Sequence, residues 1–468
     1  MRPANLAQCV LEPPAFARAS VGQLGDAALS SSDIVSNAQR IAADLRASGA
    51  MASEPIVVFI SNAPQDIVAF LGIWLAGCVV VPIHVSMPAS AAHAVIARVG
   101  ARLAARGREI ERIGDAPPPA RPLLEKAALI VFTSGSTGQP KGVVVTHDGL
   151  ASKLQALARL IAPTSRDAVV VPLQLTFIFG IWVSLLSLKS GARLLLAPKF
   201  SSTALVAHGY EVTILAAVPT LLRTIVADEG VHALKLDKIL TGGEPFSPAL
   251  ADKLAALWPH AGVFDLFGLT ETGSCDFCVS PEDQVAARGT IGWPTEGVGF
   301  RIEEQPSLGL PPGVGELQIR TPSIMVGYLD DPTQTAAAFI DGFFRTGDLA
   351  TTRADGAVQL VGRSKDVVSR GGNKIAPLEI ENVFAQHPNV AAVLAFGMPD
   401  ERLGESLHLM VVPRDPELRE TDLRTWVKSR LERFKTPDAF HFVTALPAGR
   451  TGKADRAAAR LSLQNRDA

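Results

Sequence analysis

The 468-residue chain is poor in cysteine, in charge and in long apolar runs, and each shortage excludes something. Its four cysteines, Cys9, Cys78, Cys275 and Cys278, are too few for a disulfide-stapled secreted domain and point to a reducing compartment. Only 19% of residues are charged and the formal net charge is −2, so there is no electrostatic case for nucleic acid or an anionic membrane surface. The most apolar stretch, AFLGIWLAGCVVVPIHVSM at 69–87, is broken by Gly77, Pro82 and His84. It falls short of the roughly 20 clean apolar residues of a membrane span and reads as a buried helix followed by a strand. The opening MRPANLAQCVLEPPAF lacks an apolar segment of signal-peptide length, so a soluble, cytoplasmic protein is expected. Cys275 and Cys278 form a lone C-x-x-C with neither a second pair nor histidines at ligand spacing, which favours coincidence over zinc. There are no internal repeats and no low-complexity tract.

What is present is material for a core: 47% of residues are hydrophobic, and the length allows two to four domains of roughly 100–200 residues. From about residue 55, short Val/Ile/Leu-rich runs alternate with helical patterns. PIVVFIS, CVVVPI, ALIVFTS, AVVVPL, RLLLAP, VTILAAVP, DKILTGGE and VFDLFGLT read as strands. DIVAFLGIWLAG, SAAHAVIARVGARLAAR, DGLASKLQALARLI and FGIWVSLLSLKS read as helices. This alternation predicts an α/β fold of mostly parallel sheets covered by helices, with ligands beyond the carboxyl ends of the strands. After about residue 290, GFRIEE, GELQIRT and FFRTGDLATTRADGAVQLVG predict a small β subdomain with a hairpin turn at Asp355-Gly356. GRSKD at 362–366 reads as a linker. The last hundred residues read as a small α+β domain, with a long helix around DLRTWVKSRLERF and a helical tail that frays.

The stretch LIVFTSGSTGQPKGVVVTHDGL, 129–150, carries the first chemistry. A strand runs into small hydroxylic and glycine residues and then a lysine. Glycines let backbone N–H groups converge on an anion, hydroxyls add donors, and Lys141 adds charge. It is not a Walker loop, because Pro140 precedes the lysine and Gly142 follows it.

TSGSTGQPKGV at 133–143 resembles the phosphate loop of the adenylate-forming superfamily, the group of acyl-CoA synthetases, nonribosomal adenylation domains and luciferases. Further motifs stand in that group's order: GGEPFS at 242–247, DLFGLTETG at 265–273, GELQIRTPSIMVGYLDDPTQTAAAF at 315–339, FFRTGDL at 343–349, GRSKDVVSRGGNKIAPLEIE at 362–381 and GRTGKADR at 449–456. The resemblance covers most of the chain from about residue 55 and is nearest to carboxylate–CoA ligases. It implies ATP, Mg²⁺ and coenzyme A as cofactors, with a carboxylic acid as substrate.

Residue by residue, the resemblance implies that Thr133, Ser134, Gly135, Ser136, Thr137, Gly138 and Lys141 cradle the β- and γ-phosphates. Thr270 would bind the α-phosphate and Glu271 would hold Mg²⁺. Phe267 would stack on adenine, Asp265 would meet its amino group, and Gly242, Gly243 and Glu244 would line its edge. Glu244 as a helix-capping carboxylate stays open. Asp348 and Arg363 would hold the ribose. Lys453 would be the catalytic lysine, delivered by a mobile small domain that turns about Lys365. Domains of 1–364 and 365–468 follow, with Arg370, Gly371 and Gly372 lining the path of the CoA thiol.

The chain departs from the group in being compressed between 83 and 133. PLQLTFIFG at 172–180 also puts Phe177 where many members carry a histidine. Phe177, Val218, Gly243, Leu266 and Leu269 would line the acyl pocket, whose apolar character favours an aryl or branched or medium-length aliphatic acid. Plain core packing of Phe177 is the competing expectation. Three functions compete: a carboxylate–CoA ligase, a stand-alone adenylation enzyme that loads an acyl carrier protein, and a nucleotide-binding module without catalysis. Homodimers are common in the group, and the resemblance leaves that assembly open.

Overall fold

In the computed structural model the described residues are 5–24, 26–133, 140–197, 200–208, 211–447 and 454–464. Packing divides the chain into two units, 1–299 with 319–344, and 300–318 with 345–468.

The first unit holds two sheets. One has seven strands, in the order Gly327–Tyr328, Lys141–Thr146, Ala127–Thr133, Val79–His84, Pro55–Ile60, Leu103–Arg106 and Glu109–Arg112. Its four middle strands, from Ala127–Thr133 to Leu103–Arg106, are parallel. The other has nine strands and is parallel from Gly262–Phe267 through Lys238–Gly242, Ile214–Ala216, Ala168–Val171 and Arg193–Leu196 to Ser20–Gln23. Side chains alternate across each strand. Ile56, Val58 and Ile60 therefore enter the core shared by both sheets, while Val57 enters a separate outer cluster. Helices Pro64–Leu75 and Ile178–Lys189 are buried nearly all round within the shared core. Each fully buried Ile, Val, Leu or Phe there contributes about 1.5–3 kcal/mol. The predicted helix-then-strand reading of 69–87 holds, and no helix among the described residues is long and apolar enough to cross a membrane.

Two expectations need correction. The helix expected over SAAHAVIARVGARLAAR stops at Val99. Gly100 takes a left-handed φ of 67° that caps the helix, and Leu103–Arg106 becomes a strand. The long helix around DLRTWVKSRLERF is only Glu420–Val427, followed by a short 3-10 turn at Arg433–Lys435.

The second unit carries a small sheet built from Gly299–Glu304, Gly315–Arg320, Phe343–Thr352 and Val358–Arg363, and the Asp355-Gly356 hairpin falls where expected. A second sheet orders Asn373–Ile375, Val368–Arg370, Gly404–Pro413 and Val390–Asp400, with Ala439–Phe442 alongside Gly404–Pro413. Helices Pro377–Phe384 and Glu420–Val427 cover one face, and Arg456–Gln464 packs on the other.

Candidate active site

The strand Gly262–Phe267 ends in a tight turn, Thr270–Thr272, so Thr270 and Glu271 stand beyond the carboxyl end of a parallel strand. The Glu271 carbonyl accepts from Met325 N at 2.7 Å, and its Oε1 accepts from the Tyr328 hydroxyl at 3.1 Å. Tyr328 pairs with Val143 on the strand that leaves the Gly-Ser-Thr loop, and the Lys141 ammonium lies 5.1 Å from its ring centroid. One phenol thus separates a loop cation from a carboxylate. Burial and the Glu271 charge push the Tyr328 phenol well above its usual range, so it remains a neutral donor. Thr133 and Lys141 face each other across an antiparallel pair, which closes the loop at its base. Ser134, Gly135, Ser136, Thr137 and Gly138 lie outside the described residues.

Asp265 pairs in register with Thr241, and burial pushes its carboxyl up to about 7. Phe267 is half-buried and meets Phe277 edge-on at 6.1 Å. A Cβ on Gly242 would sit 2.2 Å from the Leu266 carbonyl oxygen, so strand-to-strand approach alone demands glycine there. Glu244 accepts from Thr220 N at 2.9 Å and Thr220 Oγ1 at 2.7 Å, at the start of helix Pro219–Ile225. The capping alternative therefore describes where this carboxylate sits.

Phe177 is 47% exposed and immediately precedes helix Ile178–Lys189, so it is not core packing. Its loop is pinned by Asn62, which is buried: Nδ2 donates to Leu173 O at 3.2 Å and Oδ1 accepts from Leu175 N at 2.9 Å. Leu266 is buried in the shared core, with Val218 and Leu269 packed against it, and Val218 borders Gly243.

Within the second unit, Asp348 and Arg363 are cross-strand partners, and Arg363 Nε donates to Asp348 Oδ1 at 2.7 Å. The other oxygen, Oδ2, is buried without a hydrogen-bond partner among the described residues. Burial raises the Asp348 carboxyl and Arg363 draws it back down. Lys365 lies in the 3-10 turn Ser364–Asp366. Arg370 donates to the Phe434 carbonyl and to Asp438, which engages it within its own unit, and Gly371 and Gly372 form the turn between Val368–Arg370 and Asn373–Ile375. Lys453 lies outside the described residues. Arg456, three positions on, is fixed to Asp366 at 3.3 Å, Glu381 at 2.6 Å and the Ala395 carbonyl at 2.9 Å.

Sequence reading missed Tyr328, Asn62 and Arg456 as organisers, although Tyr328 and Arg456 lie inside quoted motifs. Only pairing across the sheet puts Tyr328 beside Val143, far from it in sequence.

The sequence pattern of the AMP-binding enzyme family matches residues 13–117 and 104–329, and that of the AMP-binding enzyme C-terminal domain matches 379–453. The oxalate–CoA ligase of Arabidopsis thaliana is 33% identical over 71% of this chain and 66% of its own length. A fatty acid–[acyl-carrier-protein] ligase, ScoC, of Streptomyces coeruleorubidus is 31% identical over 80% and 74%. A feruloyl-CoA synthase of an Amycolatopsis species is 29% identical over 92% and 93%. Among solved structures, ATP-bound MatB from Rhodopseudomonas palustris superposes with a TM-score of 0.86 over 99% of both chains at 23% identity, which bears on the fold. With its patterns matched over both halves of the chain, this protein belongs to the AMP-binding enzyme family.

Proposed function

We propose that the protein is an ATP-dependent carboxylate–CoA ligase. The observation that carries this reading is the Lys141–Tyr328–Glu271 cluster, which sets a cation and a carboxylate on either side of one phenol at the end of a parallel strand. Among the described residues Glu271 has one oxygen held by Tyr328 and the other without a hydrogen-bond donor, a set that fits a hard cation shared with phosphates. Mg²⁺ bound there would neutralise phosphate charge. Thr270 and the Gly-Ser-Thr loop would hold the phosphates in line with the attacking acid. The carboxylate oxygen forms a bond to the α-phosphorus as the bond to pyrophosphate breaks. A thiol sulfur then attacks the acyl carbon, AMP leaves with the bonding pair, and the thiol proton goes to solvent.

The unpartnered Asp348 Oδ2 supports a ribose contact, since a cis-diol supplies the missing donors. Asp265, Phe267, Gly242 and Gly243 would bind adenine. Lys453 would neutralise charge at the α-phosphate, and Lys365 would be the hinge between domains 1–364 and 365–468. The Arg456 ties to Asp366 and Glu381 support a lysine segment that travels with the chain just past that hinge. Arg370 would steady the turn at Gly371 and Gly372 along the thiol path.

The acid is an aryl or branched or medium-length apolar one, supported by the apolar side chains of Phe177, Val218, Leu266 and Leu269, which would line its pocket. The feruloyl relative acts on an aryl acid and the oxalate relative does not, so the lining is the better guide. The ScoC likeness keeps one second reading, transfer to an acyl carrier protein.

The test is pyrophosphate release over a panel of aryl and aliphatic acids, with and without CoA, and products read by mass. Acyl-CoA formation that is lost in Lys453→Ala is the expected result. Acyl-adenylate accumulating with CoA present would replace CoA by a carrier protein. No acid-dependent pyrophosphate with any acid would reject the ligase reading.

A further inference from the structure

Beneath the Thr270–Thr272 turn lies a buried ion pair with no part in the chemistry above. Lys153 projects from helix His147–Ile161 on the stripe it shares with Leu150, Leu154 and Leu157, all fully buried. Its side chain is 2% exposed, and that of Asp276 is 0% exposed. Lys153 Nζ donates to Asp276 Oδ1 at 3.1 Å and to the Cys275 carbonyl at 3.1 Å. Asp276 Oδ2 accepts from Thr272 Oγ1. The Thr272 hydroxyl also lies 3.1 Å from the Leu269 carbonyl, and the Thr272 carbonyl accepts from Ser323 Oγ at 2.8 Å. Asp276 is thus a bridge with the helix lysine on one oxygen and the site turn on the other.

The segment it grips is strained. Gly273, Ser274 and Cys275 take left-handed φ values of 77°, 69° and 52° in succession. Two of these residues carry side chains, and such residues hold that region only where surrounding contacts over-determine them. The Cys275 carbonyl has two donors, Lys153 Nζ and Thr295 Oγ1 at 2.9 Å. Asp276 N donates to the Phe267 carbonyl at 2.7 Å, so the turn is clamped from the strand that precedes it as well. A buried ion pair is weak evidence for net stability, because desolvation offsets the attraction. Its directional bonds fix one arrangement of the groups around it, as an apolar pair of equal volume does not.

We infer that Lys153 and Asp276 are positioning residues that hold the Thr270–Glu271 turn in the geometry that receives the metal–nucleotide, acting through Thr272 and the Cys275 carbonyl. This rests on the proposed role of Glu271.

The test compares the parent with Lys153→Met/Asp276→Leu, which removes both charges at similar volume, and with Thr272→Val, which leaves the ion pair and cuts its link to the turn. The readouts are thermal midpoint, kcat of acid-dependent pyrophosphate release, half-saturating Mg²⁺ and KM for the acid. The double variant is expected to melt near the parent yet lose about 10- to 100-fold in kcat, the scale of a small misplacement at a reacting centre, with half-saturating Mg²⁺ raised and the acid KM unchanged. Thr272→Val is expected to show a smaller shift in the same direction, and it decides the matter if the double variant does not fold. Parental kcat and Mg²⁺ dependence in Thr272→Val, or in a folded double variant, would overturn the inference. Glu271→Gln separates the two readings. If it is inactive while the positioning variants are parental, only the positioning role fails. If it keeps parental turnover, the assignment of the turn fails, and the inference with it.

Discussion

Two buried carboxylates, one in each unit, are treated in opposite ways. In the first, Asp276 has both oxygens engaged, one by Lys153 and one by Thr272. In the second, Asp348 has one oxygen on Arg363 and the other buried with no partner among the described residues. A saturated network resists rearrangement, and an unsatisfied acceptor is a standing cost that a ligand can relieve. The first arrangement suits holding a shape, and the second suits waiting for a donor. Burial alone therefore does not separate structural from functional acids. What separates them is whether every lone pair already has a partner.

Four substitutions and one titration press on that contrast. Asp276→Asn leaves the Lys153 charge without its counterion and should lower unfolding free energy by about 3–5 kcal/mol, read by denaturant melts. A loss no larger than that of a surface change would erase the difference between the two acids. Asp348→Ala should do the reverse. Stability stays level or rises, because an unsatisfied buried oxygen is gone, while kcat/KM for ATP falls by about 2–3 kcal/mol, or roughly 30- to 150-fold. Tyr328→Phe removes one hydrogen bond to a charged group, so KM for Mg-ATP should rise by about 1.5 kcal/mol, near tenfold, at nearly unchanged melting temperature.

The titration concerns Asp265, whose carboxyl burial raises to about 7. Between the ordinary carboxylate range and that value, the folded state keeps a proton that the unfolded state has released. Stability should therefore fall as pH climbs through this window and level off above it, and Asp265→Asn should flatten the profile. The smallest effect belongs to Phe177→Ala. An exposed ring should change stability by no more than about 0.5 kcal/mol, while the ratio of turnover on bulky and small acids shifts.

Most of the frame was legible because parallel strands buried on both faces spell themselves as unbroken Val/Ile runs, as in Val79–His84 and Ala168–Val171. The misread strand Leu103–Arg106 shows the limit. Its alanines suit a helix, and only the left-handed Gly100 ends the preceding one. Motif residues on one strand pair were also legible, and Asp348 and Arg363 do meet. What local pattern could not supply was pairing across long separations. Tyr328 reaches Glu271 from 57 positions away, and Lys153 reaches Asp276 from 123. A signal for the second existed: a lysine on the apolar stripe of an amphipathic helix needs a buried partner.

Gly242 carries a consequence for how such sequences drift. Any side chain there would collide with the Leu266 backbone, so the fold itself guards this glycine. A descendant that had ceased to use ATP would keep Gly242 for as long as it kept its sheet. Asp348 has no such protection, because its orphaned oxygen burdens the folded state and any lineage released from ATP would gain by replacing it. Among degenerate copies of this chain, the aspartate should vanish first and the glycine last. On the proposed ribose role of Asp348, the glycine motif thus records ancestry and the costly aspartate records present use.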